Sequence, residues 1–328
     1  MSVSVGIYAN SYDAIKPRLD ALNLDINVMT FDANGKFLVD GAQVAPSDID
    51  LDYLWLSQEL SSEGTLDMAF QLALDCRSIN VLQTFNAGLD NPAYKQIAAK
   101  GVRLCNSSAQ AIAISEYVLA QVLAIFQPLA QQRESQANKQ WQITRFREIA
   151  RTNWLIVGYG PIGRATAERA KAFDAHISVI RRSPETGPTV DRAGTMADLP
   201  AILPDIDVIV LACPLNDATR GFADKAFFDA VKPGAVLVNI ARGGLIDDAA
   251  LIAALDADRL TAAALDVFHT EPLPKDDPLW AHPKVYMTSH TSFAGSGVRG
   301  RWQELFLDNL PRFVRGEALI NEVNPADL

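Results

Sequence analysis

The 328-residue sequence has little cysteine: Cys76, Cys105 and Cys213 are its only three. They lie far apart, with neither the CxxC spacing of a metal site nor the density of a disulfide scaffold, so free thiols in a reducing compartment are expected. Positive charge is also short, since 29 Lys and Arg against 39 Asp and Glu leave a net charge of −10. That deficit argues against a broad phosphate-binding surface and hence against nucleic acid as a partner, while leaving room for one local anion pocket. No run approaches the roughly 18 apolar residues of a membrane span, and the opening MSVSVGIYANSYDA lacks the basic and apolar regions of a secretion signal. A cytoplasmic protein with no membrane partner is the expectation. Histidine is scarce as well, with four in the chain, so few imidazoles are available for proton transfer.

What is present is an ordinary globular composition, 49% apolar and 21% charged, which excludes a largely disordered chain. Short β-branched apolar runs alternate with segments of helical period almost from end to end, the signature of an α/β protein. Strands are expected near residues 3–8, 26–31, 53–56, 80–85 and 102–106, with helices beginning near Tyr12, Thr65 and Pro92. A long helical pattern over 108–136, which Pro128 should kink, precedes a second strand series near 154–158, 176–180, 207–212, 235–240, 262–267 and 285–289. The tail from about Ser296 reads as an amphipathic helix interrupted by Pro311 and ended near Gly316. The expected architecture is two Rossmann-like domains. A doubly wound, parallel-sheet dinucleotide-binding domain (104–291) is inserted in a smaller flavodoxin-like substrate domain (1–103 and 292–328).

NWLIVGYGPIGRATAERA sets Gly158, Gly160 and Gly163 as GxGxxG between a buried strand and a helix start. In that context the first glycine permits the tight turn, the second admits a pyrophosphate and the third lets helix and strand pack closely. Pro161 and Ile162 open the helix, whose N-terminus offers N–H groups and dipole to the phosphates. Where an acidic residue would grip a ribose 2′-hydroxyl, the next strand ends in Arg181-Arg182-Ser183. Two guanidiniums and a hydroxyl fit a 2′-phosphate better, favouring NADP(H) with NAD(H) still possible; the alternative is a pair of solvated arginines.

Three further strand ends carry chemistry-bearing residues. His290 closes KVYMTSH at the edge where open α/β sheets bind ligands, although such a histidine can equally be structural. Arg242, in NIARGGLIDD, is a planar cation suited to a small carboxylate, or to an interdomain ion pair. AAALDVFHTEPLP supplies Asp266 and Glu271, the second able to orient a histidine.

In this order the motifs GYGPIG, CPLNDATRG, KPGAVLVNIARGGLIDDAALIAAL, LDVFHTEPLP and TSH resemble the D-isomer-specific 2-hydroxyacid dehydrogenase family, which includes glyoxylate/hydroxypyruvate reductases. The resemblance implies that Arg242, Glu271 and His290 are the catalytic trio. It implies that Asp266 and the backbone around Ile240 hold the nicotinamide carboxamide, and that Cys213 and Pro214 line its ribose. In NAGLD, the N–H groups of Ala87 and Gly88 would bind the substrate carboxylate; Arg242 would hold the same carboxylate, and His290 would meet the substrate at its keto oxygen. SEYVLAQVLA, with Glu116, matches the start of the long interdomain helix, through which the family forms homodimers. The implied reaction is hydride transfer between NADP(H) and a small 2-keto or 2-hydroxy acid, with His290 as general acid/base. Alternatives are a dinucleotide-sensing binding protein or co-repressor, and an NAD-dependent dehydrogenase of a bulkier D-2-hydroxy acid.

Departures from the family pattern are TSH in place of TPH, Phe293 where a small residue is common, and Asn91-Pro92 after Asp90. Trp55, Leu56 and Ser57 are candidates to line the substrate pocket, or plain core residues.

Overall fold

The computed structural model describes residues 2–39 and 41–325. The chain divides into two compact units, Met1–Gln110 with Ser296–Leu328, and Ala111–Gly295. Residues 104–110 belong to the first unit because hydrogen bonds tie them there. Gln110 donates to the Phe85 carbonyl, Asn321 to the Ser108 hydroxyl, and Arg301 to the Ala109 carbonyl. The divide therefore falls at Gln110 and Ser296 rather than at 103 and 292.

The first unit holds β1 (Val3–Tyr8), β2 (Ile26–Phe31), β3 (Phe37–Val39), β4 (Ala42–Val44), β5 (Asp50–Leu56), β6 (Ser78–Thr84) and β7 (Arg103–Cys105), in the order β4-β3-β2-β1-β5-β6-β7. The five strands from β2 to β7 in that row run parallel, which is the flavodoxin-like order. The antiparallel hairpin β3–β4 extends the edge, an addition the apolar pattern did not announce. Because side chains alternate across a strand, β5 sends Leu54 and Leu56 into one core and Tyr53 and Trp55 into the other. Burial on both faces explains why these strands read as nearly continuous apolar runs.

The tail forms one helix, Val298–Val314, that runs through Pro311 instead of breaking there. Pro311 sits near the C-terminal end, where the missing N–H costs one bond. Phe306, Leu307 and Leu310 meanwhile bury against β1 and β5 side chains. Likewise the first helix begins at Ala9, ahead of Tyr12, and tolerates Pro17.

The second unit is built on β8 (Asn153–Val157), β9 (His176–Ile180), β10 (Arg192–Gly194), β11 (Val208–Leu211), β12 (Ala235–Asn239), β13 (Leu260–Leu265) and β14 (Val285–Met287), ordered β10-β9-β8-β11-β12-β13-β14. All neighbours are parallel. The chain order reverses beside β8, creating the switch point at which such sheets bind dinucleotides. Both faces are covered by large apolar clusters. The helix Ala111–Phe126 packs on the helix Pro161–Ala172 and bends by 57° into Leu129–Ala137 at Pro128. Among the described residues no single helix is long and apolar enough to cross a membrane.

Candidate active site

The glycine loop after β8 has the sterics a dinucleotide requires. Gly158 takes φ +100°, and a Cβ there would lie 2.6 Å from the Ala212 carbonyl and the Cys213 nitrogen, so the loop sits flush on the end of β11. A Cβ on Gly163 would meet the Gly158 oxygen at 2.2 Å, which is the close helix–strand contact. Gly160 has open space above it, with nothing within 4 Å of its would-be Cβ, as an approaching phosphate needs. Pro161 is the first residue of the helix Pro161–Ala172, and Ile162 packs at the edge of the core beneath. These residues fit a dinucleotide pyrophosphate.

At the end of β9, Arg181 donates its N–H to the Gly194 carbonyl of β10. Its guanidinium lies 5.8 Å from the Tyr159 ring centroid and 3.9 Å from Glu185. Arg164, from the helix that follows the glycine loop, approaches the same ring at 5.7 Å. Arg182 and Ser183 are exposed. Tyr159 and Arg164 were not singled out from the sequence; the only signal was an aromatic between two glycines and a basic residue one helical step on. At the end of β11, Cys213 is buried and its thiol is pushed up to about 12 by burial, while the Pro214 carbonyl accepts from Thr219 Oγ1 at 2.7 Å. All three cysteines are buried and unpaired.

The loop carrying Arg242 is set by Asn239, fully buried at the end of β12. Its side-chain amide donates to the Arg242 carbonyl at 2.9 Å and accepts the Ala241 N–H at 3.1 Å. Ile240, between them, is buried. Arg242 is half-buried, with Nη1 donating to the Ala241 carbonyl at 2.6 Å. Gly243 then passes so near the next loop that a Cβ would fall 2.0 Å from the Phe268 carbonyl carbon. This contact locks the Arg242 turn onto the segment that leads to Glu271.

Asp266, buried at the end of β13, organises the loop after β14. One carboxylate oxygen accepts the Thr288 hydroxyl at 2.6 Å and the Thr291 N–H at 2.8 Å, and the other accepts the Ser292 N–H at 3.0 Å. Its carbonyl takes the His290 N–H at 2.8 Å. Within this cage His290 has φ +48°, a left-handed conformation that non-glycine residues seldom adopt. Its Nδ1 is 2.7 Å from Glu271 Oε2, and Glu271 Oε1 accepts the Phe268 N–H at 2.9 Å. The Phe293 ring stands edgewise to the imidazole at 6.2 Å. The structure thus brings Glu271 and His290 into contact and ties both to the ends of β12 and β13. With Nδ1 engaged, Nε2 is the ring nitrogen left for a reacting group.

In the first unit, Ala87 and Gly88 lie half-buried in the loop after β6, where the Ala87 carbonyl accepts Asn106 Nδ2 at 2.7 Å. Asn91-Pro92 opens the helix Pro92–Ala99, with the Asn91 side chain accepting the Ala93 N–H at 2.9 Å. That departure from the family pattern is a helix cap. Trp55, Leu56 and Ser57 are core residues: Trp55 stacks on Phe306 at 4.4 Å, Leu56 is fully buried, and the Ser57 hydroxyl meets that of Ser11 at 2.5 Å.

Residues 119–292 match the family model described as "D-isomer specific 2-hydroxyacid dehydrogenase, NAD binding domain". Over 77% of the chain the sequence is 29% identical to a glyoxylate/hydroxypyruvate reductase A of Arabidopsis thaliana, covering 81% of that protein. It is 30% identical over 75% of the chain to a D-3-phosphoglycerate dehydrogenase of Methanocaldococcus jannaschii, spanning 48% of that longer protein. Among solved structures, a family protein from Aeromonas salmonicida superposes with a TM-score of 0.77 at 24% identity, covering 99% of this chain and 100% of that one. An NADPH-dependent glyoxylate/hydroxypyruvate reductase from Sinorhizobium meliloti, solved with NADP and sulfate, gives 0.75 at 22% identity, with 99% of each chain covered.

Proposed function

The chain belongs to the D-isomer-specific 2-hydroxyacid dehydrogenase family, and from that premise we propose that it reduces a small 2-keto acid, glyoxylate or hydroxypyruvate, with NADPH. Members of this family are oxidoreductases acting on small 2-hydroxy acids with a nicotinamide cofactor. The observation that carries the reading is the 2.7 Å contact between His290 Nδ1 and Glu271 Oε2, in the loops that follow β14 and β13 of the sheet whose β8 leads into the glycine loop.

When bound, the reduced nicotinamide supplies the hydride that C2 of the keto acid accepts. His290 Nε2 gives the proton that the keto oxygen takes up, acting as general acid. Arg242 stabilises the negative charge developing on that oxygen and grips the carboxylate. Glu271 fixes the imidazole's orientation and offsets its charge. The Ala87 and Gly88 N–H groups are proposed carboxylate donors, and the backbone at Ile240, with Asp266, is proposed to meet the carboxamide. Among the described residues Asp266 Oδ2 accepts one bond, from the Ser292 N–H, which leaves it acceptor capacity. Cys213 and Pro214 are proposed to line the nicotinamide ribose. Arg181, Arg182 and Ser183 are proposed to bind the 2′-phosphate, a reading supported by the two guanidiniums and the hydroxyl that directly follow β9 in sequence.

A homodimer is also proposed. The stretch from the long helix to β8 exposes Ile112, Leu129, Trp141, Ile143 and Phe146, an apolar surface that a second copy would cover. Light scattering of the purified protein tests this, and a monomer would refute it.

The reductase reading is tested by initial rates of NADPH and NADH oxidation with glyoxylate, hydroxypyruvate, pyruvate and phenylpyruvate. NADPH-linked turnover of the small acids is expected. Measurable dinucleotide binding with no turnover of any acid would overturn it.

A further inference from the structure

Resting on the reductase reading, we propose that Tyr117 and Thr288 are positioning residues for His290, acting through the buried carboxylate of Asp266. Tyr117, on the helix Ala111–Phe126, places its hydroxyl 2.7 Å from Thr288 Oγ1, which lies 2.6 Å from Asp266 Oδ1. Proton counting sets the direction of this chain. A carboxylate only accepts, so the single hydroxyl proton of Thr288 goes to Asp266, and Tyr117 must donate to Thr288. Burial raises the pKa of the Tyr117 hydroxyl, partly offset by the bond to Thr288 and reinforced by the charge of Asp266. Tyr117 therefore stays protonated and able to donate.

The chain matters because of what Asp266 holds. Its carboxylate ties down the Thr291 and Ser292 N–H groups, the two residues after His290, and its carbonyl takes the N–H of His290. The left-handed conformation of His290 is disfavoured for a residue that carries a Cβ, so it persists only while the surrounding bonds enforce it. Relaxation toward negative φ would swing the imidazole off Glu271. Among the described residues the Thr288 hydroxyl is the one side-chain donor of three donors to that carboxylate, and Tyr117 fixes the rotamer in which it donates. A link from the long helix to the imidazole results, in which Tyr117 and Thr288 act through Asp266.

The test compares Thr288→Val, Tyr117→Phe and Thr288→Ser in the full chain. It measures amide hydrogen exchange at Thr291 and Ser292, dinucleotide affinity, and kcat and KM for the keto acid. Thr288→Val should accelerate exchange and lower kcat about tenfold, the scale expected of a misplaced catalytic group, with KM and dinucleotide affinity within about twofold. Tyr117→Phe should do the same more weakly, and Thr288→Ser should restore wild-type behaviour. Unchanged exchange in Thr288→Val overturns the proposal, as does unchanged kcat in an active enzyme. A fall in thermal stability with kcat intact would show a structural role only and also overturns it. If the wild-type protein turns over no 2-keto acid, the reductase reading fails, and hydrogen exchange alone still decides whether Thr288 and Tyr117 order the His290 loop.

Discussion

His290 Nδ1 and Glu271 Oε2 are 2.7 Å apart, although the two residues come from loops after different strands, β14 and β13. The second oxygen of the same carboxylate accepts the Phe268 N–H at 2.9 Å, so the orienting group is itself oriented. An imidazole held at one nitrogen presents the other in a fixed direction, which is what proton transfer at a keto oxygen requires.

Removing the imidazole should therefore remove turnover without removing the cofactor. His290→Ala is expected to lower kcat by about 10²- to 10⁴-fold, the usual contribution of a general acid, while the dinucleotide dissociation constant stays within about twofold because the glycine loop is untouched. Glu271→Gln keeps the hydrogen bond but loses the charge, and should fall between wild type and His290→Ala. Stopped-flow turnover with fluorescence titration checks both. Loss of dinucleotide binding in His290→Ala would make the residue structural.

Gly243 and Gly244 are adjacent and predict opposite outcomes. A Cβ at Gly243 would lie 2.0 Å from the Phe268 carbonyl carbon, and backbone cannot step aside cheaply. At Gly244 the first neighbour is a leucine methyl, Leu215 Cδ2, at 3.0 Å. Gly243→Ala should therefore separate the Arg242 turn from the Glu271 segment, costing about 3 kcal/mol or more of stability, the upper end of overpacking effects. Gly244→Ala should cost under about 1 kcal/mol, since a side chain can shift. Thermal melts of the two variants, with kcat/KM for whatever folds, give the comparison, and equal behaviour would refute the steric argument.

The end of β9 carries a cofactor prediction. Arg181, half-buried, lies 3.9 Å from Glu185, whose side chain is 73% exposed, and an ion pair that long with one partner in solvent is weak enough to be redirected to a ligand phosphate. The double variant Arg181→Ala/Arg182→Ala should raise the KM for NADPH by about 10- to 100-fold, equivalent to losing one or two charge-assisted hydrogen bonds. The KM for NADH should change little. Parallel loss with both cofactors would place the arginines outside the 2′-phosphate site.

How much of this was legible beforehand depends on what each residue is asked to do. The strand ends at Gly158, Arg181, Arg242, Asp266 and His290 were readable because short continuous apolar runs that alternate with helical segments mark parallel strands, and ligand chemistry collects at their C-terminal ends. Glu271 followed from its place in LDVFHTEPLP. Asn239 and Thr288 were not found, because a single polar residue closing an apolar strand says nothing of which loop it will bind. The hairpin β3–β4 was missed although its strands flank an Asp-Gly pair, a hairpin signature, because three-residue strands are too short for a periodicity signal. Trp55 could be read as a pocket or a core residue from its position at a strand end, and stacking of its large apolar face on Phe306 puts it in the core. Pro311 was read as a break because local propensity outweighed packing in that reading, whereas burial of the helix decided the outcome.

Asp207 yields the pH dependence. It sits at the start of the β11 segment with its side chain 9% exposed, and it accepts from Arg147 at 2.6 Å, Lys232 at 2.7 Å and the Asn153 N–H at 2.8 Å. Burial alone would raise its pKa. The bonds from Asn153 and Lys232 and the charge of Arg147 outweigh burial and hold it below its ordinary 3.8. A carboxyl whose pKa is lower in the folded than in the unfolded state binds fewer protons when folded. Its stabilisation is thus complete above the unfolded pKa and is lost as pH falls through the folded one. Asp207→Asn should cost about 1–3 kcal/mol at pH 7, less than for a fully buried pair, because Arg147 and Lys232 remain 37% and 43% exposed. The gap between wild type and variant should be the same at pH 7 and pH 5 and should close on acidification below the ordinary carboxylate range. Urea denaturation at pH 7, 5 and 3 measures it. A gap that is absent at pH 7, or that widens at pH 3, would show that the two cations stabilise the protein by some route other than the ionised Asp207.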